Sequence, residues 1–159
     1  MTSLGDIATP FIDMAHRIVW CTAATVDAKG RPRGRILHPI WEWDGEKLTG
    51  WIATSPLSLK AKHLEKTPQI SLTYWTSNHD TATAECDATF DPSDDARIAL
   101  WDRLKNGPAP VGYDPAIIPG WDTPTSPGFG ALVLDPWWLR VFPGTALLTG
   151  EGEVLTWAR

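Results

Sequence analysis

The amino-acid sequence predicts a mainly β protein, a closed or half-closed β-barrel with a few helices at its periphery. Short runs rich in β-branched and aromatic residues recur along the 159 residues, and turn sequences such as Asp44-Gly45 separate them. Few stretches carry helical spacing or capping residues. Because unpaired sheet edges promote aggregation, many short antiparallel strands favour closure into a barrel, or dimerisation.

Seven extended runs are predicted as strands: residues 18–26, 31–43, 47–53, 69–75, 81–90, 129–135 and 137–142. Pro39 interrupts the second run. Since proline lacks the amide that a sheet needs, we expect a bulge, an edge or a ligand-facing position near His38-Pro39. Pro136 separates the last two runs, and a final hairpin is predicted within residues 146–156.

Three helices are predicted. The first covers about residues 10–16, within an N-terminal segment of residues 1–17, because Thr9-Pro10 is a typical helix start. The second begins after Ser55-Pro56 and ends before Pro68, and the third covers about residues 93–106. Residues 107–128 form a long loop rich in proline and glycine, which we interpret as a lid or an interface arm because such loops are usually functional.

Length and composition fit one domain, residues 1–159. Two cysteines, Cys21 and Cys86, are too few for a disulfide framework, so we expect reduced thiols and a cytoplasmic protein. No apolar run has the roughly 18 residues that a membrane span needs. The formal net charge of −5 argues against a general nucleic-acid surface.

Basic and hydroxyl side chains are concentrated in the second strand and at the start of the second helix. The free amides and the dipole at a helix N-terminus favour an anion there, and a phosphate would receive several charge-assisted hydrogen bonds. The alternative is that the arginines are solvated and the hydroxyls only cap the helix. The residues concerned are Arg31, Arg33, Arg35, Thr54, Ser55, Ser58 and Lys60.

Motifs for other chemistries are missing. The four histidines, His16, His38, His63 and His79, have no carboxylate or cysteine partners at metal-ligand spacing, so no metal site is predicted. The sequence contains no P-loop, no Rossmann glycine motif and no Gly-x-Ser-x-Gly. No side chain stands out as a general acid, and we predict no catalytic residue.

A series of ordered motifs covers residues 19–90 and extends more loosely to residue 142. It consists of Thr25-Val-Asp-x-x-Gly30-x-Pro32-x-x-Arg35, His38-Pro39, an apolar strand ending in Thr54, Ser58-x-Lys60 and Leu64-x-x-x-Pro68. This order resembles the pyridoxamine 5′-phosphate oxidase-like family of FMN-binding split barrels. The resemblance implies a six-stranded antiparallel split β-barrel that forms a homodimer, with FMN at the subunit interface.

The same resemblance implies roles for individual residues. Arg35 and Lys60 would bind the FMN phosphate, and Ser58 and Thr54 would add hydroxyl contacts. Arg31, Arg33 and Lys62 would then be surface charges. The residues implied beside the flavin ring are the backbone of Ile36, Leu37 and His38, together with Ile52 and Ala53. A pocket for the electron acceptor would be lined by His38, Trp41 and residues 113–121.

The leading functional hypothesis is an FMN-dependent oxidoreductase that transfers hydride through the flavin N5 to an unknown small molecule. A reductase that uses the deazaflavin coenzyme F420 is the first alternative, and a non-catalytic flavin-binding or stress protein is the second. A barrel for a small apolar ligand is a further possibility. Leu59 stands where true pyridoxamine-phosphate oxidases carry a second phosphate-binding arginine, and their C-terminal substrate motif has no counterpart, so vitamin B6 oxidation is not predicted.

Overall fold

The computed structural model describes residues 1–159 and is built around one antiparallel sheet of eight strands. The strands are β1 (Cys21–Val26), β2 (Pro32–Leu37), β3 (Ile40–Trp43), β4 (Leu48–Thr54), β5 (Gln69–Trp75), β6 (Thr81–Asp91), β7 (Gly130–Phe142) and β8 (Leu155–Ala158). The helices are α1 (Leu4–Ile18), α2 (Leu59–Lys66), α3 (Asp94–Asn106) and α4 (Gly144–Leu148), with a 3-10 turn at Pro115–Ile117. None of these helices combines the length and hydropathy required to cross a lipid bilayer.

The sheet closes on itself because its two edge strands are neighbours in the chain. The strand order is β2-β1-β5-β6-β7-β4-β3, with β8 added beside β7. Only His38 and Pro39 lie between β2 and β3. A link of this length spans roughly 11 Å, so the sheet must curl until its edges meet there. Elsewhere β2 pairs only with β1, and the barrel stays open, which gives the split barrel that the sequence predicts.

The strand count is eight, and not the six implied by the resemblance. Residues 31–43 do not form one strand, because Pro39 divides them into β2, paired with β1, and β3, paired with β4. Conversely, Pro136 does not divide β7. The register against β6 shifts between Glu85 and Cys86, and this bulge accommodates the proline inside one continuous strand.

The C-terminal segment also differs from the prediction. Residues 144–148 form the short helix α4, and β8 pairs with β7 through Val141 and Leu155, so there is no hairpin around Gly150. The predicted hairpin of residues 146–156 overlaps β8 only at Leu155 and Thr156, and its first residues belong to α4, so this prediction is wrong.

Helix α1 begins six residues before the predicted start. Ser3 caps it, since its Oγ accepts a hydrogen bond from the amide of Asp6 at 3.2 Å. Pro10 therefore lies inside the helix, where it removes one backbone hydrogen bond. Burial of Ile7 and Phe11 against the barrel outweighs this loss, which explains why the local signal at Pro10 was misleading.

Two apolar clusters stabilise the fold. The first fills the barrel, where the Phe11 ring packs edge-on against Trp41 with the ring centroids 5.0 Å apart. The second lies outside it, under α3 and residues 107–128, and includes Trp101, Val111 and Phe129. The long loop is therefore packed onto the outer surface of the barrel near β3 and β4.

Candidate functional site

A lysine held by two hydroxyl groups marks the start of α2. The Lys60 Nζ donates to Thr54 Oγ1 at 2.7 Å and to Ser58 Oγ at 3.0 Å. Thr54 is the last residue of β4, and Ser58 immediately precedes α2. The short connection between strand and helix thus brings together three polar side chains that lie within seven residues of sequence.

The N-terminus of α2 is left without a side-chain cap. Ser58 occupies the N-cap position, but its Oγ donates to the Ser55 carbonyl at 2.7 Å and accepts no bond from a helix amide. The first turn contains no acidic residue. The partial positive charge of the helix N-terminus is therefore not balanced by this segment.

Arg35 supplies a second cation on the neighbouring strand β2. Its Nη1 donates to the Ala23 carbonyl at 3.0 Å, and the side chain is half-buried. Burial, followed by the charge of Arg33, lowers the pKa of Arg35. Burial, followed by the charge of Arg35, lowers the pKa of Lys60 from its ordinary value of 10.5. The charge of Arg35 on β2 therefore reaches Lys60 on α2.

Neither Arg35 nor Lys60 forms an ion pair with a carboxylate. We call Arg35, Thr54, Ser58 and Lys60 the cradle. Two half-buried cations, two hydroxyls and an uncapped helix N-terminus match the hydrogen-bonding needs of a phosphate. The donor set therefore fits the phosphate of a flavin mononucleotide.

The other two arginines of the basic strand are engaged differently. Arg31 Nε and Nη2 each lie 2.8 Å from Asp27 Oδ2, and Arg33 Nη1 lies 3.6 Å from the same oxygen. Hydrogen bonds from Arg31 hold the pKa of Asp27 well below its ordinary value of 3.8. The Asp27 carboxylate therefore neutralises part of the positive charge of Arg31 and Arg33, which are not cradle residues.

The residues expected beside a flavin ring lie on the edge strand β2 and on β4, which pairs with the other edge strand, β3. On β2, Ile36 is 61% exposed, whereas Leu37 is half-buried and its carbonyl accepts a weak bond from Cys21 Sγ at 3.6 Å. On β4, Ala53 is half-buried, but Ile52 is 1% exposed and packs in the barrel core. Any contact that Ile52 makes with a cofactor therefore has to come from its backbone.

His38, at the junction of β2 and β3, is enclosed by aromatic rings. Its ring centroid lies 5.1 Å from Trp20 and 5.3 Å from Tyr113 of the long loop. The Nε2 atom is buried and has no hydrogen-bond partner. Burial and the neighbouring His16 lower the pKa of His38 from 6.5, while the Val111 backbone raises it, so the imidazole is neutral near pH 7.

Trp41 does not line a solvent-side pocket, so this prediction is wrong. Its side chain is 3% exposed, and its Nε1 donates to the hydroxyl of Tyr74 at 2.9 Å inside the barrel. Its backbone amide donates to His16 Nε2 at 2.9 Å. The break at Pro39 separates β3 from β2, so the alternation of β2 does not determine which way Trp41 points.

Sequence reasoning missed Trp20, which covers one side of His38. It follows Val19, whose φ of 74° and ψ of −59° belong to a strained γ-turn, closed by a 2.9 Å hydrogen bond from the Trp20 amide to the Ile18 carbonyl. A β-branched residue rarely adopts a positive φ, so no sequence signal identifies this turn. The turn places a large aromatic surface, 58% exposed, beside the opening.

A family model described as pyridoxamine 5′-phosphate oxidase matches residues 13–109 of the chain. The chain belongs to this family. The matched stretch contains all four cradle residues, and it ends within the first residues of the long loop. Among curated proteins, none matches the sequence.

Several solved structures share the fold of this chain. A protein from Clostridium acetobutylicum, related to general stress protein 26 of B. subtilis, aligns with a TM-score of 0.66 at 15% identity, over 98% of this chain and 94% of that chain. A pyridoxamine 5′-phosphate oxidase-related, FMN-binding protein from Nostoc punctiforme aligns with a TM-score of 0.63 at 22% identity, over 100% and 97%. An F420 reductase aligns with a TM-score of 0.54 at 16% identity, over 78% and 90%.

Proposed function

We propose that the chain is a flavin-dependent oxidoreductase that binds FMN, with the cofactor phosphate in the cradle. The observation that carries this proposal is the position of Lys60, whose ammonium is fixed by Thr54 and Ser58 but has no carboxylate partner. A half-buried cation without a counter-ion is costly, and a bound phosphate removes that cost.

The residues around the opening suit the rest of a flavin. Strand β2 pairs only with β1. In the alternating pattern that starts at the bond from the Asp27 amide to the Arg31 carbonyl, the amide and carbonyl of Ile36 face the free edge and are open to a ligand. These groups would hydrogen-bond the polar edge of the ring, and Ala53 would pack against its face. When bound, FMN supplies the hydride-transfer chemistry, and the protein supplies position and electrostatics.

A homodimer would complete the site in this proposal. Three large apolar side chains, Trp20, Ile36 and Trp75, are each more than half exposed, at 58%, 61% and 57%. Trp20 and Ile36 lie close to the opening: Trp20 immediately precedes β1, and Ile36 belongs to β2. A second copy covering this surface would shield the ring from water, and sedimentation analysis tests it: a strictly monomeric protein loaded with FMN would contradict this part.

The deazaflavin coenzyme F420 is the second candidate cofactor, supported by the shared fold with an F420 reductase. A flavin-binding protein without turnover is the third, supported by the shared fold with the stress-protein relative from Clostridium acetobutylicum. Competing titrations of FMN and F420 separate the first two. Bound flavin that neither NADH nor NADPH bleaches, with any acceptor tried, would favour the third.

The absorbance spectrum of the purified protein and a fluorescence-quenching titration with FMN test the main proposal. We expect flavin bands or saturable FMN binding. A colourless protein that does not quench the fluorescence of added FMN would rule out the proposed function.

Replacing Lys60 tests the cradle itself. We expect Lys60→Ala to weaken FMN binding by about 1.5–3 kcal/mol, because a charged hydrogen bond to the phosphate is lost. The control is Lys105→Ala, which removes an exposed lysine at the end of α3 and should leave the dissociation constant unchanged. Equal weakening by both variants would mean that net charge, and not the cradle, attracts FMN.

A further inference from the structure

A groove of about 570 Å³ lies beside the cradle, between the β1–β2 hairpin and α2. This volume falls within the range of small-molecule sites. Lys29 and Arg33 line it from the hairpin side, and Leu59, Lys62 and Lys66 line it from the helix. The resemblance to the family and the proposed FMN site leave this groove without a role.

The groove concentrates positive charge on a chain whose formal net charge is −5. Five lysines and arginines line it, against two carboxylates, Asp27 and Glu65. Asp27 is already paired with Arg31 and Arg33, which leaves Lys29, Lys62 and Lys66 against Glu65. The remaining cations therefore exceed the carboxylates available to balance them, which favours an anionic ligand.

The wall of the groove is fixed by the fold. Along α2, residues 59, 62, 63 and 66 follow helical spacing and face the same side. His63 lies among them, and its Nδ1 makes a buried hydrogen bond of 2.8 Å with Thr25 Oγ1 of β1. This bond ties the helix to the hairpin strand, so that Lys62 and Lys66 are held along one wall.

The groove adjoins the cradle along the chain, although none of the four cradle residues lines it. Leu59 lies between the cradle residues Ser58 and Lys60. Arg33 precedes Arg35 by two residues, so the two arginines lie on the same face of β2, and the charge of Arg33 reaches Arg35 strongly enough to lower its pKa. A phosphate in the cradle would therefore have the groove as its immediate neighbour.

We infer that the groove binds a second anionic group attached to the cofactor phosphate, and that this group is the adenylate half of a dinucleotide such as FAD. The inference rests on the proposed flavin site. FMN ends at its phosphate, whereas a diphosphate would continue from Lys60 along the groove toward Lys62, which has no carboxylate partner. Val26 and Leu59 give the groove an apolar surface against which a nucleoside can pack.

The test compares riboflavin, FMN and FAD in quenching titrations of the full chain at low ionic strength. We expect FAD to bind roughly tenfold more tightly than FMN, and FMN more tightly than riboflavin. The double variant Lys62→Gln/Lys66→Gln should weaken FAD about fivefold and leave FMN within about twofold, because exposed charge pairs contribute modestly. Lys105→Gln is the matched control and should change neither.

Three results would overturn the inference. If FAD binds no more tightly than FMN, or if the double variant weakens the binding of both equally, the groove is not a subsite. The flavin proposal would be unaffected by either result. If coenzyme F420 binds more tightly than FAD, and its binding depends on Lys62 and Lys66, then the groove binds the acidic tail of F420 and not a nucleotide. Failure of all these compounds to bind would contradict the flavin proposal itself.

Discussion

The cradle and the ion pair between Arg17 and Asp80 use the same kinds of charge in opposite ways. Arg17 Nη2 lies 2.8 Å from Asp80 Oδ2, and Asp80 Oδ1 also accepts the Gly144 amide at 2.7 Å. This carboxylate is satisfied within the chain and anchors α4 to the barrel. Lys60 and Arg35, in contrast, have only neutral partners.

The presence or absence of a carboxylate partner separates charges that stabilise the fold from charges that are available to bind a ligand. Arg31 with Asp27, and Arg103 with Glu42, belong to the first group. A cation with an internal carboxylate gains little from binding an external anion, since the partner must first be displaced. The comparison therefore predicts where binding should be sensitive to substitution and where only stability should be.

Supplying the cradle with its own carboxylate should have the largest effect. In Ser58→Asp, a carboxylate would stand where the hydroxyl lies 3.0 Å from Lys60 Nζ, and it would pair with that cation. We expect FMN affinity to fall by about 100-fold or more, since an attractive charge is neutralised and a like charge faces the phosphate.

The same variant should not lose stability, because aspartate is a good N-cap and favours a helix N-terminus. Thermal unfolding checks this expectation. Ser58→Asn is the control for size and capping, and it should retain most of the FMN affinity. Full binding by Ser58→Asp would contradict the assignment of the phosphate to this position.

A smaller effect is expected from pH. The pKa of Lys60 is lowered below 10.5, so this lysine loses its proton at a lower pH than an ordinary lysine. A bound phosphate favours the charged form, and FMN affinity should therefore fall by about tenfold as the pH rises from neutrality toward 10.5.

The stability of the cofactor-free protein should change in the opposite direction. Because the fold disfavours the charged form of Lys60, deprotonation relieves that cost, and this contribution to stability rises with pH in the same window. Dissociation constants of the wild type and of Lys60→Ala, measured across the window, check the binding effect. If the FMN affinity of Lys60→Ala falls equally with pH, a group other than Lys60 causes the pH dependence.

The smallest effect on binding should come from the paired charges. Asp80→Ala should lower the Tm by roughly 2–4 °C, because the Gly144 amide and Arg17 lose their partner, and it should leave FMN affinity unchanged. Asp102→Ala, on the exposed side of α3, is the control.

Acid should reproduce part of the Asp80 effect. Hydrogen bonding from the Gly144 amide is the main cause that lowers the pKa of Asp80 below 3.8. The contribution of Asp80 to stability is therefore present above that value and is lost as the pH falls through the lowered pKa. Thermal unfolding of the wild type and of Asp80→Ala should converge at low pH, and a constant difference would contradict the role assigned to this carboxylate.

The sequence was sufficient for the features that depend on nearby residues. Thr54, Ser58 and Lys60 lie within one strand-to-helix connection, so their proximity follows from where β4 ends and α2 begins. The mainly β class follows from the same local patterns. Membership of the family was visible in the same ordered motifs.

Other features depend on contacts between distant segments and were not predictable in this way. Pro10 and Pro136 both lie inside regular elements, because burial of α1 and a bulge in β7 compensate for their missing amides. The burial of Trp41 follows from the separate pairing of β3 with β4. The γ-turn at Val19 has no sequence signature at all.

The free edge of β2 has a consequence for solubility. An unpaired strand can add a strand from another molecule and start aggregation, and natural proteins prevent this with charged residues and proline on the edge. Strand β2 carries Pro32, Arg33 and Arg35 in six residues. Arg33 and Arg35 therefore also prevent the free edge of β2 from pairing with another molecule. Replacing both with apolar side chains would leave a protein that self-associates through this edge.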